Sequence, residues 1–265
     1  MIDFKNKIIF IHIPKTGGTS IEASLRKDLQ QQAFPNGIGR YRRRADKKPQ
    51  RVTGMGKNGY HSSLQHIKED DGEGDTKRGI PPVRIEDYFS FSVIRNPWDR
   101  EYSLFRFCFI DPEPLRKVKT PPTFEEYLKA LKTFKETGNN TLFREWRQKG
   151  TNWNQRQAPQ GKFHRPIQTK ANLPSHIFAD QWNYLTINNR LKINHLIRFE
   201  TLEEDYGQLR HRLKRDPQKL PHERKGRYRE GNSGPTHYKD AYTPDLRDRV
   251  AALRHKDITE FNYSF

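Results

Sequence analysis

The stretch IIFIHIPKTGGTS, residues 8 to 20, decides the fold of this chain. Ile8, Ile9, Phe10, Ile11 and Ile13 are β-branched or aromatic and too few for a helix, so they read as a buried parallel strand. Pro14, Lys15, Thr16, Gly17 and Gly18 then break the run. Neither glycine has a Cβ, which lets the backbone turn sharply and come close to a ligand. Thr19 and Ser20 open a helix expected to reach about Gln31, with Glu22 in its first turn. The N–H groups at that helix start, together with the positive end of its dipole, suit a phosphate or sulfate.

Lys15 separates this loop from the usual nucleotide-triphosphate loop. In a GxxxxGK[ST] motif the lysine follows the glycines and stands directly before Ser or Thr; here it precedes them. The plainer reading is a solvated lysine and glycines that only cap a turn. Strand, Lys-Thr-Gly-Gly and Thr-Ser nevertheless fall in a working order for anion binding.

A second segment of the same kind begins at Tyr88. YFSFSVI (Tyr88 to Ile94) is aromatic and β-branched, and it leads through Arg95, Asn96 and Pro97 into a helical pattern containing Ser103. Carboxyl ends of parallel strands line one crevice in a doubly wound sheet, so both turns can face one ligand. Arg95 offers a planar fork for a phosphate, and Ser103 follows about two helical turns later with a hydroxyl. Pro97 suits a helix start, where its missing N–H leaves nothing unpaired. The fold class expected is therefore α/β, a P-loop-like three-layer arrangement with a central, mainly parallel sheet flanked by helices.

The paired motifs PKTGGTS and SVIRNPWDREYSLF resemble the sulfotransferase superfamily, particularly its carbohydrate-modifying branch and bacterial relatives. HSSLQHI from His61, IRFETLEEDY (197 to 206), LPHE (220 to 223) and HYKDAYTPDLRDRVAALRHKDITEFNYSF (237 to 265) continue the likeness in the family's order. The resemblance implies transfer of a sulfuryl group from 3′-phosphoadenosine 5′-phosphosulfate (PAPS) to a hydroxyl or amine. By position it places Lys15, Thr16, Gly17, Gly18, Thr19 and Ser20 on the 5′-phosphosulfate, and Arg95 and Ser103 on the 3′-phosphate. In related enzymes a late loop closes over the nucleotide, which makes Arg227, Tyr228 and Arg229 further candidate contacts.

Such a transfer needs a base for the acceptor proton, charge stabilisation at the leaving phosphate and in-line alignment. Lys15 and its loop serve the leaving group. His61 is the candidate base: the chain has ten histidines, but this one stands in HSSLQHI between the two anion motifs, as in relatives that use such a histidine. His66 is its rival, while Glu22 and Glu200 are weaker candidates. His12, within the first strand, reads as a packing residue. No tight His/Cys/Asp ligand cluster appears, so no metal is expected.

At 265 residues the chain suits one α/β domain, 1 to 265, carrying insertions at about 34–82 and 111–175. The first holds RYRRRADKKPQR (Arg40 to Arg51), read either as a solvated basic flap or as a landing surface for a polyanion. The second contains an amphipathic helix from Thr123 to Thr133, N-capped by Thr123. It continues into Arg144, Trp146, Arg147, Trp153, Asn154, Arg156 and Arg165, either a sugar-binding surface or core tryptophans among exposed arginines. Strands are expected near Tyr184 to Asn188 and Ile193 to Phe199. A helix is expected over Thr201 to Leu213, opened by the capping pattern Thr-Leu-Glu-Glu, and another from Pro244 to about His255.

A net charge of +18 and a pI near 9.9 point to anionic partners. Nucleic acid is not expected, because no helix-turn-helix, zinc or RNP pattern accompanies the dispersed basic residues. A nucleotide kinase on the same scaffold is the enzymatic alternative, and the position of Lys15 argues against it. The acceptor implied by resemblance and charge is an anionic or neutral glycan. No apolar run is long enough to span a bilayer, and Cys108 is the lone cysteine. Both fit a cytoplasmic bacterial protein, or a Golgi enzyme without its anchor.

Overall fold

A computed structural model describes residues 1–4, 6–31, 53–54, 61–71, 82–110, 121–148, 175–221 and 237–265. The basic run at 40–51, Trp153, Asn154, Arg156 and Arg165 lie outside these residues, as do Arg227, Tyr228 and Arg229. The chain forms two compact units. The first comprises 1–96, 179–225 and 260–262, the second 97–178, 226–259 and 263–265.

The first unit is built on a five-stranded sheet. β1 (Ile2–Asp3), β2 (Ile8–Ile11), β3 (Thr53–Gly54), β4 (Phe89–Ile94) and β7 (His195–Arg198) lie in the order β3-β1-β2-β4-β7. β2, β4 and β7 run parallel, with Ile8 opposite Phe89 and Phe91 opposite His195, whereas β1 is antiparallel to β2 and β3. The sheet is thus α/β and mainly parallel. Ser90 and Ser92 alternate with apolar residues on β4 yet are fully buried. Each has a partner: the Ser90 N–H and hydroxyl donate to Asn194 Oδ1, both at 2.7 Å, and the Ser92 hydroxyl donates to the Ile11 carbonyl at 2.8 Å. These bonds remove the cost of unpaired buried polar groups and reinforce the strand register.

Helix α1 (Gly18–Gln31) and helix α7 (Leu202–Arg212) pack on this sheet. Ile21, Leu25, Tyr206 and Leu209 form one apolar core with Ile8, Phe10, Phe91, Val93 and Ile197. A buried ionic knot joins the two helices. Arg210 grips Asp28 with both terminal nitrogens, at 2.9 and 3.1 Å, while Arg215 Nη1 reaches the same carboxylate at 3.1 Å. Because α1 begins at Gly18, Glu22 falls in its second turn, not its first. Thr201 also departs from expectation: its hydroxyl donates to Asp205 Oδ2 at 2.9 Å and does not cap α7.

Helix α2 (Leu64–Asp71), helix α6 (Gln181–Leu185) and the hairpin β5 (Thr186–Ile187) with β6 (Arg190–Leu191) complete the first unit. The strand expected from Tyr184 to Asn188 thus begins as the last turn of a helix.

The second unit is helical and aromatic. It contains α3 (Pro97–Phe105), widened at its end into a π-helical turn over Arg106–Ile110, then α4 (Phe124–Thr137), α5 (Thr141–Gln148) and α8 (Pro244–Leu253). Thr123 and Glu126 form the capping box at the head of α4, and Gly138 ends that helix in the left-handed region at φ 73°. Phe105, Phe109, Phe124, Tyr127, Phe143 and Phe178 make a continuous aromatic core. Trp146 joins it, edge-on to Phe109 and Phe143, which favours core packing for this tryptophan. Within that core Arg254 Nε meets Glu101 Oε2 at 2.6 Å, and the Tyr127 hydroxyl donates to Glu101 Oε1. Burial and the Glu101 charge push the Tyr127 phenol well up. Helix α9 (His255–Phe261) closes the chain.

Candidate functional site

The parallel register sends the carboxyl ends of β2, β4 and β7 to one edge of the sheet, and the loops after them gather there. The first carries Lys15 at φ 68° and Gly17 at φ 83°. Left-handed backbone is easy for glycine and uncommon for lysine. A contact across 80 residues holds it: Arg95 Nη1 donates to the Lys15 carbonyl at 2.9 Å. The Arg95 guanidinium also stacks over the Phe199 ring, 4.1 Å from its centroid.

Phe199, in the loop after β7, serves a second neighbour. A Cβ added at Gly17 would come within 3.2 Å of the Phe199 ring and 3.1 Å of Leu202, so glycine is required there by both space and φ. At Gly18 the space a Cβ would need is occupied by the His12 imidazole, whose Cγ would lie 2.9 Å away. The glycines therefore admit the protein's own rings as well as shaping a turn. Thr16 is fully buried, and its hydroxyl donates to the Ile13 carbonyl at 3.0 Å. That side chain shapes the loop from within. Thr19 and Ser20 are half-buried in the first turn of α1, with the Ser20 N–H on the Gly17 carbonyl at 3.1 Å.

The turn after β4 is clamped by two side chains that sequence reasoning assigned no such role. Gln181, fully buried, accepts from the Arg95 N–H and donates back to the Arg95 carbonyl, both at 2.8 Å. Glu200 Oε1 accepts from the Asn96 N–H at 2.6 Å. Glu200, weighed above as a base, is thus an anchor for the arginine turn. Neither contact has a local sequence signature, since the partners stand 86 and 104 residues apart.

His61 is brought to the same edge. Its Nδ1 lies 2.9 Å from the His12 carbonyl oxygen, and the two imidazoles meet edge-on with centroids 4.9 Å apart. A carbonyl can only accept, so Nδ1 carries the proton and, in the neutral ring, Nε2 holds the lone pair. His66 is exposed on α2, and its Nδ1 accepts from the Ser63 N–H at 3.4 Å. His12 itself is buried, with Nδ1 3.3 Å from Glu22 Oε1. Ser103 stands half-buried on α3, in the second unit.

Lys15, Arg95 and His61 thus converge on the segment from His12 to Gly18, where a helix start offers N–H groups that the helix itself does not use. Fold and loop together define the class: a P-loop-like α/β protein whose first strand-to-helix loop places its lysine ahead of the glycines. Residues 1–264 match the sulfotransferase family, and the chain belongs to it. It is a PAPS-dependent sulfotransferase, which sets aside the kinase alternative. Among curated proteins, none matches the chain. Among the described residues, no group of three His, Cys, Asp or Glu side chains is placed to hold a metal ion, and no helix is long and apolar enough to cross a membrane.

Proposed function

We propose that this enzyme moves the sulfuryl group of PAPS to a hydroxyl of a carbohydrate acceptor, with His61 as general base and Lys15 at the leaving phosphate. The observation that carries this reading is the His61 hydrogen bond to the His12 carbonyl. It fixes the tautomer a base requires and ties that base to the strand end from which the Lys15 loop departs. The acceptor oxygen bonds to sulfur as the bond from sulfur to the 5′-phosphate oxygen breaks. The acceptor proton passes to His61 Nε2, and the desulfated nucleotide leaves carrying the bond's electron pair. Lys15 and the N–H groups at the start of α1 offset the charge gathering on that phosphate.

The assignment of the donor's 5′ end to this loop is supported by the left-handed backbone at Lys15 and Gly17 and by the start of α1 at Gly18, a helix N-terminus whose N–H groups suit an anion. Arg95 is assigned to the 3′-phosphate. Thr19 and Ser20 are assigned to the 5′-phosphosulfate with their loop, and the resemblance alone assigns Ser103 to the 3′-phosphate and Arg227, Tyr228 and Arg229 to the nucleotide. A glycan acceptor is supported by the resemblance to the carbohydrate branch and by the +18 charge, which suits polyanionic sugars. The test offers sulfur-labelled PAPS with panels of glycans, lipids and phenols. Label is expected on glycan hydroxyls and lost in His61→Ala while nucleotide binding persists. Label on phenols alone would refute the acceptor class, and near-normal turnover in His61→Ala would refute the base.

A further inference from the structure

His12 and Glu22 form a buried polar pair that packing alone does not call for. His12 follows β2 directly and is only 9% exposed, and Glu22 on α1 is 6% exposed. An apolar ring would fill the His12 position without burying a polar group, which is costly unless that group is hydrogen-bonded. His12 is held on several sides. Phe10 stacks on it at 5.8 Å, Glu22 Oε1 stands 3.3 Å from Nδ1, Gly18 leaves room for the ring, and His61 lies against its edge. The Glu22 contact is at ion-pair distance but is not an aligned hydrogen bond.

We infer that His12 and Glu22 are positioning residues for His61, an inference that rests on the reading of His61 as the base. The Glu22 carboxylate lies against the His12 ring, and the His12 ring in turn meets the His61 ring edge-on. The His12 main chain fixes the His61 tautomer, and its side chain, steadied by Glu22, sets the place of the His61 ring. When His61 takes the acceptor proton it becomes an imidazolium, and the Glu22 charge beyond His12 favours that cation. Among the described residues, Glu22 from α1 and His12 after β2 are titratable groups set against these rings, and the Lys15 and Arg95 cations belong to the same loop cluster. The same His12 ring rests on Gly18, so the pair also keeps the base in register with the start of the anion helix.

Histidine resonances of isotope-labelled protein test this without any donor. In the wild type His61 is expected as the Nδ1–H tautomer. Glu22→Gln, which keeps the shape and removes the charge, is expected to lower the His61 titration midpoint by about half a pH unit or more. The double variant His12→Phe/Glu22→Leu removes both buried polar groups together and is expected to shift the midpoint the same way. It carries the test if the single variant fails to fold. With PAPS and an accepted glycan, both variants should lose more than about tenfold in kcat with little change in binding of the desulfated nucleotide, the pattern of a group that acts on the transition state. A His61 midpoint unchanged or raised in the folded variants overturns the inference. Because the titration needs no turnover, failure of the sulfotransfer reading would show separately, as an inactive wild type with the coupling intact.

Discussion

Gly18→Ala is the sharpest structural perturbation available in the anion loop. A Cβ there would lie 2.9 Å from His12 Cγ and closer still to two further ring atoms. Real Cβ contacts are almost never that short, so the ring or the helix start must move. The ring has little freedom, being stacked on Phe10, close to Glu22 and edge-on to His61. Overpacking of this kind costs about 1–3 kcal/mol. Gly→Ala removes some unfolded-state entropy and returns about 0.4–1 kcal/mol; with the ring held on three sides the overpacking cost belongs to the middle or upper part of its range, so the net expected is a loss of about 1–2 kcal/mol. For a chain of this size that lowers Tm by about 2–8 °C. Gly207→Ala is the internal comparison. It sits inside α7 with no atom within 4 Å of its added Cβ, so it is expected to gain up to about 1 kcal/mol. Thermal melts of both variants beside the wild type decide the matter. A Gly18→Ala protein that melts at or above the wild-type temperature would refute the packing account of this loop.

Two further perturbations probe charges in the two units. Arg254→Met leaves the Glu101 carboxylate, 1% exposed, without its buried arginine and is expected to cost about 3–5 kcal/mol, read from denaturant unfolding. Adding Glu101→Leu should recover much of that loss. His195 on β7 is held below the ordinary histidine range by burial and then by the Arg212 charge. The unfolded chain therefore binds this proton more readily than the folded one, and the His195 contribution is present above the unfolded pKa and lost as pH falls through the folded one. Across about pH 7 to 5, His195→Gln should lose less stability than the wild type, as measured by unfolding at each pH.

Much of the site's framework was legible in the chain. Ile8 to Ile11 and Phe89 to Ile94 have the apolar density of buried parallel strands, and each ends in residues that stop a strand and start a helix. Thr123 announced its N-cap, and the structure adds Glu126 to complete a capping box. Contacts made by single side chains across long separations were not legible. Gln181 on the Arg95 peptide and Phe199 beneath the Arg95 guanidinium carry no periodicity that a local window could detect. His12 read as a packing residue because it continues an apolar run. The strand stops at Ile11, however, and its carbonyl and ring belong to the loop chemistry. Thr201 carried a capping pattern, yet Asp205 competes for its hydroxyl and also accepts from the Arg198 N–H at 2.9 Å. Strands of two residues, such as β1 and β5, exist through their pairing partners and are too short to show a pattern.

The central claim is that Lys15 acts where the sulfur bond breaks and is more than a phosphate anchor. Lys15 stands before the glycines with a left-handed backbone, and its carbonyl accepts from Arg95. The direct measurement compares Lys15→Ala with the wild type in two assays: transfer of labelled sulfuryl from PAPS, and calorimetric binding of the desulfated nucleotide. Turnover is predicted to fall by about a hundredfold or more, the scale for removing one transition-state donor, while nucleotide affinity changes by less than about tenfold. Equal losses in both assays would contradict the account and reduce Lys15 to an anchor.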